Sequence, residues 1–228
     1  ARGVSDLSVP LRDHKVEGVV IASPPHRHLE QIVACLEAGK SVYVEKPLVS
    51  SYAECEQVVR AYERHPVPVM MVGHNYRRMG WARAMKRIIE EGRLGRLVDL
   101  ELNLSHGGAF SIGMSSWRGS RHWHREGPMN ALGVHLIDLL HYWVGPIKTV
   151  YASIRNLAGV TESPDASAAL LEFETGVTAL LKANYVVPSE QRFVITGTEG
   201  IVACQRGELT LRVGRDQDRI PSDVLRQP

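Results

Sequence analysis

Lys46 stands between Glu45 and Pro47, directly after the apolar run Ser41-Val42-Tyr43-Val44, and is the first residue whose type and place suggest chemistry. An X-Pro bond adopts the cis form at small cost. That form would turn the lysine into a crevice, where it can bond a ribose or substrate hydroxyl and help move its proton. The plainer reading is a surface lysine beside a turn proline. His135 is the second candidate. Asp138 lies three positions on, so a helix places both on one face, where the carboxylate can orient the imidazole and raise its basicity, as a general acid or base requires. A core histidine satisfied by a helix neighbour is the alternative. Gly133, two residues before His135, suggests close approach by another group. A third set is Trp117, Arg118, Arg121, His122, Trp123 and His124. Aromatics and cations in a stretch without period suit sugar hydroxyls or carboxylates, and equally a solvated or subunit-facing loop. His122, His124, His135 and His141 raise the question of a metal. A metal triad usually adds a carboxylate and H-x-x-x-H spacing; neither is clean here, and no metal site is expected.

These residues need elements to hold them. Residues 16–22, 41–44 and 67–72 read as short buried strands, the first ending at Ser23-Pro24-Pro25. Between them lie a helix over 26–38, closed by Gly39, and a second helix capped by Ser50 or Ser51 with Val58, Val59 and Tyr62 inward. Strands alternating with helices predict right-handed βαβ units and an open, doubly wound sheet. Ligands in such sheets sit beyond the carboxyl ends of the strands, which puts Ser23-Pro24-Pro25, Glu45-Lys46-Pro47 and Gly73-His74-Asn75 along one rim. After residue 76 the pattern changes. Residues 83–91 form an amphipathic helix closed by Gly92, and 97–104 alternate like a half-solvated strand. Pro128 opens a helix running to about Trp143. Strand-like runs follow at 149–155, 166–173, 177–184, 191–196, 201–204 and 209–213, with Gly176 and Thr198-Glu199-Gly200 as turns. The expected fold is α/β followed by α+β: a partial Rossmann domain over 1–76, then a domain with a mostly antiparallel open sheet over 77–228.

Composition narrows the class. The 228 residues are 44% hydrophobic and 23% charged, ordinary for a globular chain with two modest domains. A net charge of +2 offers no field for nucleic acid or anionic lipid. Cys35, Cys55 and Cys204 are scattered and without Cys-x-x-Cys spacing, which suits reduced thiols in the cytoplasm. No apolar run of about 18 residues predicts a membrane span, and the N-terminus shows no signal-peptide pattern.

Five motifs carry a family resemblance: V-V-I-A-S-P-P-H-R-H, L-E-A-G-K-S-V-Y-V-E-K-P, G-R-L-G-R-L-V, G-V-H-L-I-D-L-L and I-T-G-T-E-G. In this order, from about Glu17 to Gly200, the chain resembles the glucose-fructose oxidoreductase, inositol dehydrogenase and rhizopine-catabolism (Gfo/Idh/MocA) oxidoreductases. The resemblance implies an NAD- or NADP-binding Rossmann domain, a substrate domain whose open sheet is used for assembly into a homo-oligomer (dimer or tetramer), and hydride transfer between nicotinamide and a secondary alcohol or ketone of a sugar-like or cyclic polyol substrate. Ser23, Pro24 and His28 match the family's strand-end cofactor motif. Glu45 and Lys46 match its E-K-P, Asn75 its next strand end, and His135 its catalytic histidine. Trp117, Arg118, His122 and Trp123 are then expected to shape the substrate pocket, and Lys46 to act with His135.

Two departures stand out. Many members have an Asp four residues before the histidine; here that position is Ala131, and Asn130 lies about 100° round a helix from it. Proton transfer would fall to His135 and Lys46. No G-x-G-x-x-G occurs, so the expectation is a fragment, or a chain with segments closed up near Gly3-Val4-Ser5, whose pyrophosphate-binding helix N-terminus lies outside it. Residues 219–228 lack the closing elements expected of the fold. The competing expectation is a non-catalytic, cofactor-sensing or scaffolding relative, which Ala131 favours and Lys46 and His135 oppose. A third is isomerisation or hydrolysis with a tightly held nicotinamide.

Overall fold

The computed structural model describes residues 3–112, 116–214 and, for the backbone, 216–219. Residues 220–228, most of the segment expected to lack closing elements, lie outside these. The chain forms two compact units, Ala1–His74 and Asn75–Pro228, divided two residues before the expected boundary.

In the first unit a short helix α1 (Ser8–Arg12) precedes three parallel strands, β1 (Gly18–Ile21), β2 (Ser41–Val44) and β3 (Met70–Val72), in the order β1-β2-β3. A 3-10 turn at Pro25–Arg27 leads into α2 (His28–Glu37), and α3 (Tyr52–Arg64) follows β2. Helices α2 and α3 pack together over Ile21, Val42 and Val44. That leaves β1 half-covered rather than buried on both faces: Val20 is 72% exposed. Strand β3 starts three residues later than expected, after Pro68, which has no N–H for a ladder. Ser51 is the cap of α3, its Oγ accepting from Glu54 N–H at 3.3 Å while the Glu54 carboxylate accepts from Ser50 N–H at 2.8 Å. Its inner face is a correction. Val58 and Ala61 are buried, whereas Val59 and Tyr62 are exposed, so the small alanine, not the larger neighbours, meets the core.

The second unit begins with a 3-10 turn at Tyr76–Arg78 and the helix α4 (Gly80–Glu90), closed by Gly92 at φ +70°. Strand β4 (Leu97–Ser105) is followed by the loop region and α5 (Val134–Trp143). Then come β5 (Ile147–Arg155), β6 (Ala166–Phe173), β7 (Thr178–Asn184), β8 (Glu190–Gly197), β9 (Gly200–Gln205), β10 (Glu208–Val213) and β11 (Asp216–Arg219). They form one eight-stranded sheet, β11-β10-β9-β8-β4-β7-β6-β5, antiparallel except for β4 with β7. Trp81, Met85 and Ile88 of α4 and Leu136, Leu139, Leu140 and Trp143 of α5 share a core with Leu100, Leu102, Phe193 and Leu181 from the sheet. On the other face the alternation turns outward: Tyr151, Leu170 and Leu180 stand opposite one another across β5, β6 and β7, all exposed. Among the described residues no helix is long and apolar enough to cross a membrane.

The stretch opened by Pro128 is not one α-helix. Met129–Gly133 is a π-helical turn, and the α-helix starts only at Val134. A π turn bonds residue i to i+5, and such turns cluster at functional sites. Asn130 and Ala131 both lie in this turn, so the 100° per residue of an α-helix does not separate them.

Candidate active site

At the carboxyl ends of β1 and β2 two loops are tied by one buried ring. His28, at the start of α2, is fully buried; its Nε2 lies 2.8 Å from the Ser23 carbonyl oxygen and its Nδ1 3.0 and 3.1 Å from those of Pro47 and Leu48. The imidazole N–H donates to one side or the other according to tautomer. His28, expected among the cofactor contacts, is thus enclosed between these loops and holds them together. The Ser23 hydroxyl donates to Gln31 Oε1 at 2.6 Å, fixing the same loop to α2. Pro24 follows in extended conformation and leads into the 3-10 turn. The Lys46-Pro47 peptide is cis, the isomer raised from sequence. Lys46 is partly exposed, and its backbone N–H donates to Glu45 Oε2 at 3.3 Å.

In the second unit His135 is 6% exposed and lies on α5. Tyr76 stacks on it with ring centroids 4.2 Å apart and an interplanar angle of 18°. The next residue, Arg77, sends its guanidinium to Asp138: Nε donates to Oδ2 at 2.9 Å and Nη2 to Oδ1. These bonds push the Arg77 pKa up further, and burial raises that of the Tyr76 phenol. Arg77 also lies 5.6 Å from the centroid of the Tyr142 ring. A single turn thus engages 135, 138 and 142, one continuous stripe of α5. Asp138 does share a face with His135, as its spacing predicts, but its carboxylate is matched by Arg77. Asn75 caps this turn, its carbonyl accepting from Arg78 N–H at 3.0 Å.

Sequence reasoning missed Tyr76 and Arg77. A signal existed: a buried aspartate on an otherwise apolar helix demands a cation. Gly133 does make room, for the Met129 side chain; a Cβ there would lie 2.5 Å from the thioether sulfur.

The loop set separates into two. Trp117 and Arg118 gather near His124: the guanidinium lies 4.6 Å from the Trp117 centroid, and Trp117 is 5.7 Å from His124. His124 is buried, with Nδ1 3.2 Å from the Arg118 carbonyl oxygen and the Tyr185 ring 6.1 Å away. His122 and Trp123 pair edge-to-face at 4.3 Å and stand exposed. Gly127 closes the loop at φ +52°, where a Cβ would sit 2.1 Å from the Pro164 carbonyl oxygen. Beyond His124, His106 packs 5.0 Å from Tyr185, and its Nδ1 accepts from Gly108 N–H at 2.9 Å. Burial lowers the pKa of both histidines and pushes that of Tyr185 up to about 12. Among the described residues no three His, Cys, Asp or Glu side chains group to hold a metal ion.

The lowered His124 pKa has a consequence for stability. The folded state resists protonation of this ring below its ordinary 6.5, while the unfolded chain accepts the proton. The stabilisation is complete above about pH 6.5 and is lost as the pH falls toward the depressed value. The thermal midpoint is therefore expected to drop between about pH 7 and about pH 5, and to drop less in His124→Gln. Scanning calorimetry across that window checks this; an unchanged slope in the variant refutes it.

Comparison with known proteins adds to this geometry. Residues 1–74 match the model of an oxidoreductase family with an NAD-binding Rossmann fold, and residues 82–203 match the GFO/IDH/MocA C-terminal domain. The levoglucosan dehydrogenase of Pseudarthrobacter phenanthrenivorans is 33% identical over 149 residues, 65% of this chain and 38% of that protein. The 1,5-anhydro-D-fructose reductase of Ensifer adhaerens is 27% identical over 232 residues, 97% of this chain and 69% of that one. The 2,7-anhydro-N-acetylneuraminate hydratase of Mediterraneibacter gnavus is 32% identical over 94 residues, 41% and 25%. A levoglucosan dehydrogenase solved in complex with NADH superposes with a TM-score of 0.86 at 26% identity, over 96% of this chain and 65% of that one. The chain spans less than two thirds of the length of most of these relatives. With both halves matched in order, the chain belongs to the GFO/IDH/MocA oxidoreductase family.

Proposed function

We propose that this chain is part of an NAD(P)-dependent dehydrogenase or reductase acting on a secondary alcohol or ketone of a sugar-like or cyclic polyol substrate. The observation that carries this reading is the retention, within two family matches in the right order, of a strand-end Glu45-Lys46-Pro47 and of His135. The strand-end residues suit the nicotinamide end of a dinucleotide. At Gly73 a side chain would fill the rim, since a Cβ would lie 2.8 Å from the Tyr43 hydroxyl and 3.4 Å from Glu45 Oε1. Ser23, Pro24, Glu45, Lys46 and Asn75 would hold the cofactor, with His28 shaping the loops that carry the first four. When bound, nicotinamide supplies the hydride acceptor or donor. Lys46 donates hydrogen bonds to the ribose and to the substrate hydroxyl, and His135 takes up or returns that hydroxyl's proton. Trp117 and Arg118, anchored on His124, present an aromatic face and a cation to the substrate; His122 and Trp123 meet it from the exposed part of the loop.

A second copy of the chain is the proposed partner on the open sheet, supported by the exposed row Tyr151, Leu170 and Leu180. Its place is proposed as the cytoplasm, where the free thiols of Cys35, Cys55 and Cys204 persist. Light scattering tests the first of these and cell fractionation the second.

Redox-neutral chemistry on a bound nicotinamide is the second reading, favoured by the hydratase among the relatives. A non-catalytic role finds no support among the relatives named here. One experiment separates them. The intact protein is incubated with NAD⁺ or NADP⁺ and levoglucosan or an inositol panel, and with the reduced cofactor and 1,5-anhydrofructose, while reduced-nicotinamide absorbance and products are followed. Net change in absorbance is expected. Product without net change supports the redox-neutral enzyme, and cofactor binding without product sinks both.

A further inference from the structure

We infer that Tyr76 and Arg77 are positioning residues that hold His135 in one orientation, Tyr76 through its ring and Arg77 through Asp138. This rests on the reading of His135 as the group that exchanges the substrate proton.

Residues 76 and 77 are adjacent in a 3-10 turn, and their partners follow the i, i+3, i+7 spacing of one helix face. Tyr76 covers one face of the imidazole at 4.2 Å, a near-parallel stack that opposes tilting of the ring. Arg77 grips the helix one turn further on, through two bonds to a carboxylate that is 6% exposed and through the Tyr142 ring beyond it. The two contacts constrain different motions. The stack fixes the plane of the ring, and the forked ion pair fixes the turn against α5, so that the stack cannot slide along the helix. Lysine keeps the charge of Arg77 but not its fork. With no Asp at position 131, orientation of His135 depends the more on what packs around it.

The device predicts a specific pattern. Misplacing a proton-exchanging group slows the chemical step more than it weakens substrate binding, so kcat falls while KM stays close to its original value. Tyr76→Leu and Arg77→Met are each expected to lower kcat by about 10- to 100-fold, and Arg77→Lys to recover part of the loss.

The test uses the intact protein and two readouts. In NMR spectra the carbon-bound ring protons of His135, assigned by their loss in His135→Ala, are expected upfield beneath the Tyr76 ring. Tyr76→Leu should abolish that shift and Arg77→Met should move the same signals, with Arg77→Lys nearer to the original and available should Arg77→Met unfold. His135 signals unmoved by both Tyr76→Leu and Arg77→Lys or Arg77→Met would overturn the inference. The second readout is turnover of levoglucosan with NAD⁺, each substitution being made in the original and in the His135→Ala background. A loss that disappears in the His135→Ala background supports positioning through His135; an equal loss in both overturns it. Full turnover by His135→Ala alone would instead defeat the proposed catalytic role, and the NMR result would still decide whether the turn orients the ring.

Discussion

His135→Ala is expected to reduce kcat by about 10²- to 10⁴-fold, the range that a positioned general acid or base supplies. The side chain is almost wholly buried, and Tyr76 lies against its face, so alanine removes the reacting group and leaves a gap that water fills without the same alignment. Lys46→Ala is expected to lower kcat comparably, but with a rise in the KM for the cofactor, because lysine is proposed to bond the ribose as well as the substrate. The two signatures differ and can be read from one set of steady-state measurements on the intact protein, with single turnovers separating chemistry from release. Retention of full kcat by both variants would remove the assigned roles. The absent aspartate bears on the magnitude. With Ala131 at the position four before the histidine, the proton has fewer carriers, and loss of either remaining one should be felt strongly.

The second large effect concerns folding. Phe193→Ala is expected to cost about 3–5 kcal/mol, a large part of the total of about 5–15 kcal/mol typical of a domain. Phe193 lies in β8 between Leu102 of β4 and Cys204 of β9, with no exposed surface. Its ring stacks on Trp81 of α4 at 4.7 Å and 17°. Trp81 in turn meets Trp143 of α5 at 6.3 Å, and the Trp143 indole N–H donates to the Ala82 carbonyl at 3.1 Å. Three large rings thus join the sheet to both helices. Truncation leaves a cavity at their junction that rigid strands cannot close. Phe193→Leu fills part of that space and should lose less. Urea denaturation monitored by tryptophan fluorescence measures both; a loss below about 1 kcal/mol for alanine would show that the site collapses around the missing ring.

Much of the fold was legible because burial imposes period two on half-covered strands. Residues 97–104 alternate regularly, and the strand falls where that pattern puts it, with Leu100, Leu102 and Leu104 turned inward. The same logic weakens where few residues vote. On α3 the sequence offers Val59 and Tyr62 as inward residues, yet the core takes Ala61, whose small size suits a close approach to α2. The π turn at Met129–Gly133 carries no signature in residue type, since its cause is a hydrogen-bond register rather than a side-chain preference. Of the candidate site, Lys46 and His135 stand out in the sequence, where motif and position agree. Its supports do not. Tyr76 and Arg77 sit some 60 residues before their partners, and Arg77 and Asp138 are joined at a separation of 61. Adjacent placement in a turn with no period gave no hint that both would meet one face of α5.

Strand β4 has parallel β7 on one side and antiparallel β8 on the other. On either side of it the sheet consists of meanders, β5-β6-β7 and β8-β9-β10-β11, whose hairpins bring together residues close in the chain. Joining β4 to β7 is different in kind, since it closes a loop of the length seen between Ser105 and Asn184, 79 residues. Loop entropy rises with that length, and long-range pairing slows folding. The two meanders can therefore organise early and independently, and the insertion of β4 between them is the event that turns two local structures into one cooperative sheet.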